Sequence, residues 1–404
     1  MKRDLAELIR IPGFTSVISA RFISNLGNGL SPIALAYGVL SLPGSNGRDL
    51  SLVMVARFLP MVMFMLFGGV IGDRFKRNRI VGGADIIGSF FAGTSALSFI
   101  FGFASVPLLC LMGALFGILN ALWWPAMSGV LPEVLPKEML QRGNALVSLA
   151  SNFGFVFGAL IGGTVVTLYG SGWALFVDAV SFLLAGILVW NIDLPSLRNG
   201  AKNSMLHDLR VGWKEFISRS WVVAVVLGFT FINFCFEATI AVLGPLSFKG
   251  TGHGPRDWSF NLAVWTIGMI VGGVISIKVH FKRPLAIGMI VIALSSTWNF
   301  SIALGLALPL VLITAFITGV AFEIFTVVWT TAMQKNIPEE SYSRVVSYDA
   351  LGSFALAPIG IAIAGPIAEI IGTSPTLYFC GAITLLGALI PLAVKSVRQL
   401  TYPK

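Results

Sequence analysis

Apolar residues run along this chain in blocks separated by short polar turns. Twelve blocks stand out, near 16–42, 50–72, 79–103, 106–131, 141–168, 172–192, 220–247, 258–280, 284–306, 308–334, 343–370 and 374–395. Each is close to the roughly 20 residues that cross the hydrocarbon of a bilayer as a helix. Backbone polar groups in lipid must satisfy one another, so helices are predicted throughout. The longest polar stretch, 191–220, lies mid-chain. The predicted organisation is an all-α membrane protein: a six-helix bundle over 1–195, a cytoplasmic linker over 196–219 and a second six-helix bundle over 220–404. Within the linker, 204–216 has the spacing of an amphipathic helix lying on the inner leaflet, and reads equally well as a plain solvated connection.

The two halves repeat one another. The segment starting LPEVLPKEML at Leu131 and the segment starting MQKNIPEESY at Met333 align at an offset of 202 residues. Pro136 meets Pro338, Glu138 meets Glu340, Arg142 meets Arg344, and Gly158, Gly163 and Gly170 meet Gly360, Gly365 and Gly372. The matches fall on residues that decide backbone geometry and topology. Two same-sense hydrophobic halves are the sign of a parallel-repeat transporter.

Composition narrows this further. Hydrophobic residues make up 56% and charged ones 11%, and the mean hydropathy is +0.87. A soluble domain carries about 25% charged residues, so the lipid bilayer is the expected solvent and partner. The net charge of +9 does not point to nucleic acid, because the basic residues sit in short loops rather than on one face. With both termini inside, the outer loops hold only Arg48, Lys249 and Arg256, Arg21 and Arg57 fall in spans, and the other 22 of 27 basic residues are cytoplasmic. That bias predicts a multi-pass protein of the cell (inner) membrane with both termini in the cytoplasm. Cys110, Cys235 and Cys380 lie far apart in apolar runs, so neither a disulfide framework nor a metal site is expected. No cleavable signal peptide is visible.

The loop GGVIGDRFKRNR, 68–79, resembles the loop signature of the major facilitator superfamily. The resemblance implies twelve helices in two pseudo-symmetric bundles. It also implies an inner gate of Gly69, Asp73, Arg74 and Arg77 that ties spans 2 and 3 to the region of span 11. Lys76 stands where the family usually has glycine. The second-half counterpart, GGVISIKVHFKR at 272–283, has Ile277 in place of the acid, so the latch is expected on one side only. In span 5, Gly154, Gly158, Gly162 and Gly163 make a smooth ridge for close helix approach. It resembles the superfamily's antiporter signature, with Ala159 at the usual proline, and reads as either packing or an exporter hinge. The segments ARFISNLGNG, LPEVLPKEMLQRGNAL and ALFVDAVSFL look like the branch that includes enterobactin and macrolide exporters.

In the resembled fold, spans 1, 4, 7 and 10 line a central cavity. Near mid-depth they carry Asn25 and Asn28, then Asn120 with Trp123 and Trp124, then Asn233 and Glu237, then Glu323 with Trp329. Aligning FISNLGNG with FINFCFEA sets Asn28 opposite Glu237, and Gly117 pairs with Gly319 at the offset of 202. A charge in a span costs about 2.5–3.5 kcal/mol on insertion scales, so these acids should face protein or water. A carboxyl group so placed can carry a proton in one state and lose it in another. One proton crossing 100 mV supports a substrate gradient of roughly fiftyfold. Each acid also reads as a packing group bonded between helices.

Other embedded charges have simpler readings. Asp85 is expected to pair with the Arg74–Arg79 cluster and Asp178 to be a structural acceptor. Arg57 snorkels or receives an anionic substrate, and Asp349 with Arg344 forms a helix-end network. Asn299 matches a glycosylation acceptor in form but lies in a span.

No phosphate-binding GKS or GKT loop, serine elbow or histidine cluster occurs, so no enzyme, cofactor or metal is expected, and the proton gradient is the expected energy source. The leading expectation is a monomeric secondary transporter exporting an amphipathic small molecule, drug-like or siderophore-like, by alternating access. Its alternatives are an uptake permease and a non-transporting receptor or scaffold.

Overall fold

The computed structural model describes residues 8, 10–72, 75–194, 212–250, 254–278 and 282–401. Among the described residues, helices appear where the twelve apolar blocks predict them. In the first half they are α1 (Phe14–Ser41), α2 (Gly47–Gly72), α3 (Arg77–Ile100), α4 (Val106–Val134), α5 (Leu140–Tyr169) and α6 (Ser171–Trp190). In the second half α7 (Ser220–Ala238) runs through a π turn, Thr239–Leu243, into Gly244–Phe248, followed by α8 (Gly254–Lys278). Next come α9 in two pieces (Pro284–Ala293 and Ser296–Ala303), α10 (Leu308–Asn336), α11 in two pieces (Glu339–Phe354 and Ala357–Ile371) and α12 (Thr373–Leu389). Ten of these segments are long and apolar enough to cross a membrane by length and composition.

The chain divides into two compact units. Unit 1 comprises Met1–Gly200 with Phe248–Ala263, and unit 2 comprises Ala201–Ser247 with Val264–Lys404. The segment Phe248–Ala263 thus groups by contacts with the first half. The physical reason is local: Tyr37 donates to the Gly254 carbonyl at 2.9 Å, and Gly163 lies directly against Ser259 and the Pro255 carbonyl. Most of the linker lies outside the described residues, so its amphipathic reading does too.

The repeat is written into backbone geometry. Gly170 joins α5 to α6 at φ 87°, and Gly372 joins α11 to α12 at φ 92°. A side chain is strained in that region, so a one-residue reversal between spans calls for glycine at both. The glycines of the spans do a different job. A Cβ on Gly158 would overlap the Leu26 carbonyl of α1, and one on Gly360 would overlap the Phe234 carbonyl of α7. A Cβ on Gly117 would overlap the Arg57 carbonyl, and one on Gly319 the Trp265 carbonyl. Gly154 and Gly162 extend the α5 contact to Phe22 and Leu30 of α1. The α5 ridge is therefore a packing seam at which two helix backbones touch.

Span 11 is broken because Pro358 cannot donate to the preceding turn. The carbonyls beside the break are taken up by α7: Thr230 Oγ1 donates to Gly352 O and Asn233 Nδ2 to Ser353 O, both at 2.9 Å. Broken helices survive in a membrane when neighbouring side chains re-satisfy the backbone in this way.

Candidate functional site

An ionisable side chain in lipid must find protein or water, and the structure indicates where each one does. In unit 2, Phe236 of α7 and Phe322 of α10 pack with ring centroids 4.5 Å apart. Glu237 and Glu323 are the next residues on the same two helices, so the two acids stand at one level. Trp265 of α8 lies 5.6 Å from Phe236, and Trp298 lies 6.4 Å from it. Neither acid has a hydrogen-bond or ion-pair partner among the described residues. The glycine pair Gly272–Gly273 makes room for Glu323. A Cβ on Gly272 would lie 3.0 Å from Glu323 Cβ, and one on Gly273 would lie 3.7 Å from Glu323 Oε1. In the sequence that pair marks only the repeated loop; its proximity to an acid follows from how α8 and α10 pack.

Glu237 stands two residues before the start of the π turn, in which Thr239 Oγ1 donates to Asn299 Oδ1 at 2.8 Å as well as to Cys235 O. Single π turns in membrane helices often mark functional positions, because they leave backbone groups available and re-aim side chains. Asn299 is thus a buried partner of this irregularity, in keeping with its place in a span.

The remaining midplane candidates separate into different settings. Asn25 Nδ2 donates to Arg21 O and Asn120 Nδ2 to Phe116 O, each one turn back along its own helix. Asn28 is partly buried and has no hydrogen-bond partner among the described residues. Asn233 holds the break in α11. The register also shifts: since Gly158 meets Leu26 O and Gly360 meets Phe234 O, Glu237 corresponds to Gly29, one residue beyond Asn28.

The three tryptophans are divided between the two units. Trp123 is buried in unit 1 with Trp124 edge-on at 5.6 Å, and Trp124 itself is exposed. Trp329 is in unit 2, where Nε1 donates to Asp349 Oδ2 at 2.9 Å and the ring meets Trp221 at 5.5 Å. In unit 2, Phe236, Trp265 and Phe322 form an aromatic cluster between α7, α8 and α10.

Several charges have partners other than those expected. Arg77 pairs with Glu133 of α4 at 3.3 Å, across Gly129, where a Cβ would strike the guanidinium. Gly69 lies in the last turns of α2, and Asp73 and Arg74 lie outside the described residues. Asp85 does not join Arg79, whose guanidinium stacks on Trp190 at 4.3 Å. It interacts instead with Arg21 of α1, which lies 5.0 Å over Trp123. The reason is helix rotation: Asp85 points to the interior of unit 1 and Arg79 to its end. Asp349 accepts from Trp329 and from Ser353 Oγ at 3.2 Å, and the Arg344 side chain lies outside the described residues. Arg57 does not snorkel. It folds over Phe116 at 4.5 Å and donates from Nη1 to Ser31 Oγ at 3.3 Å.

Comparison with known proteins bears on what these sites serve. The family model described as Major Facilitator Superfamily matches residues 17–348. The chain is similar to the multidrug efflux pump Tap of Mycolicibacterium fortuitum, at 23% identity over 395 residues covering 95% of this chain and 96% of that one. It is similar to macrolide efflux protein A of Streptococcus pyogenes, at 20% identity over 398 residues covering 96% and 97%. Among solved structures it resembles the nucleoside transporter NupG, with a TM-score of 0.76 at 12% identity, covering 94% of this chain and 99% of that one.

Proposed function

We infer the activity from one premise: the chain belongs to the Major Facilitator Superfamily and is a multi-pass membrane transporter. We read it as a proton-coupled exporter of amphipathic small molecules, with both termini in the cytoplasm, working by alternating access of its two halves. The observation that carries this reading is the pair Glu237 and Glu323, two acids in unit 2 without a hydrogen-bond or ion-pair partner among the described residues, on the helices α7 and α10 that meet through Phe236 and Phe322. Aromatic faces suit an amphipathic or cationic cargo. A carboxyl group that binds either a proton or the cargo couples one flux to the other, since the two compete for one place. Likeness along nearly the whole chain to proteins described as multidrug and macrolide efflux pumps supports export over uptake.

The test begins with purified protein and a thermal-stabilisation screen over macrolides, siderophores and cationic dyes. The best stabiliser is then followed in inverted membrane vesicles. Export by proton exchange predicts accumulation inside vesicles energised acid inside, abolished by a protonophore. An uptake permease moves the compound the other way, and a receptor or scaffold is stabilised without flux.

A further inference from the structure

Unit 1 contains a second buried acid in a setting of its own. On one side of it the side chains of α6 pack directly on the α1 backbone: a Cβ on Gly27 would overlap both Asp178 Oδ1 and Ser181 Oγ. On the other side α2 and α4 are in contact, with Gly117 against the Arg57 carbonyl and Gly113 within 3.4 Å of Arg57 Cβ by the same measure. Between these two helix pairs lies a cavity of about 30 Å³, lined in part by Ser31, Arg57, Ser95, Phe116 and Asp178. That is room for one or two water molecules.

Asp178 is 1% exposed, and its Oδ1 has no hydrogen-bond partner. Arg57 faces it from α2 and interacts with it electrostatically, with Ser31 beside both. Elsewhere the lining comes from α1, α3, α4 and α6 and is neutral: Arg57 and Asp178 are its only charged residues.

We propose that Asp178 is a further proton-binding site of the transport cycle, at which a proton and the Arg57 guanidinium alternate in neutralising one carboxylate. The inference rests on the proton-coupled reading above and adds a site in the other half of the chain. Glycine contacts hold each helix pair together, so a slide between α1–α6 and α2–α4 opens the seam at the cavity. With Arg57 close, the carboxylate stays ionised. With Arg57 withdrawn, a buried lone charge is costly in a membrane, and the cavity water delivers a proton. One O–H bond forms on Asp178, the proton comes from hydronium reaching the cavity water, and no other bond changes. A substrate site is excluded by size, since the cavity admits water and nothing as large as a drug.

Infrared difference spectra of the purified protein in nanodiscs test this without substrate, so a failure here is separate from a failure of the transport reading. Spectra taken between mildly acidic and mildly alkaline pH should contain a carboxylic C=O band that is absent in D178N and retained in the E237Q/E323Q double variant. R57Q should move the titration midpoint of that band upward by about one pH unit or more, because the cation that favours the carboxylate is gone. Should D178N fail to fold, the neutral pair R57Q/D178N, which strands no charge, takes its place. A band unchanged in either Asp178 variant overturns the proposal. So does loss of the folded protein in both, because a site that stands protonated for part of the cycle must tolerate neutral residues.

Discussion

Asn233 offers a sharp test, because its position on the sequence suggests a place in the transport site while its contacts give it another task. It is 5% exposed, and its Nδ2 donates to the Ser353 carbonyl at the break in α11. Replacing it with alanine removes an interhelical bond of a kind worth about 0.6 kcal/mol on average in membranes and about 1.7 kcal/mol at most. The stranded carbonyl is buried, which raises the expected cost to roughly 1–3 kcal/mol. Thr230 Oγ1 donates to the neighbouring carbonyl of Gly352, so N233A and T230V act on one break and should be non-additive by about 0.5 kcal/mol or more. The assay is reversible denaturant unfolding of the purified protein, with substrate binding measured alongside. N233A should lower stability and leave the dissociation constant of a stabilising compound within about twofold, under 0.5 kcal/mol. Unchanged stability with a large loss of binding would refute the reasoning and return Asn233 to the transport site.

Two further outcomes follow from the packing. G158V and G360V should each destabilise by about 1–3 kcal/mol, because a side chain at either falls on a facing backbone carbonyl that cannot step aside; G250A, with nothing within 4 Å, should be near neutral in the same unfolding assay. W329F removes the donor to Asp349 and should cost about 1–2 kcal/mol. Adding D349N to W329F should recover part of that loss in denaturant unfolding, and no recovery would argue against a stranded charge.

Apolar blocks, loop charges and the offset of 202 carried the twelve spans, because lipid leaves the backbone one local solution and topology follows from a few glycines and prolines. Gly170 and Gly372, or Gly158 and Gly360, could be paired on paper and play paired roles in three dimensions. The side-chain partners could not be read in this way. A polar residue in a span must face protein, but which neighbour it meets depends on helix rotation, and one residue turns a side chain by about 100°. The alignment of Asn28 with Glu237 was out by that one step. Asp85 found Arg21 rather than Arg79, and Arg77 found Glu133, a residue of the quoted LPEVLPKEML segment to which the sequence assigned no role. The breaks were half legible: Pro358 signals the one in α11, while the Thr230 and Asn233 donors that hold it come from a helix more than a hundred residues earlier. The π turn after Glu237 has no sequence signature here at all.

The central claim is that Glu237 and Glu323 couple substrate movement to protons, and flux in reconstituted vesicles tests it most directly. The parent protein and the E237Q/E323Q double variant are given the same proton gradient and the same transported compound, with downhill exchange measured in parallel. The account predicts that the parent accumulates the compound, up to roughly fiftyfold for one proton per 100 mV, while the double variant exchanges it downhill and accumulates none. Accumulation by the double variant equal to the parent's would contradict the account.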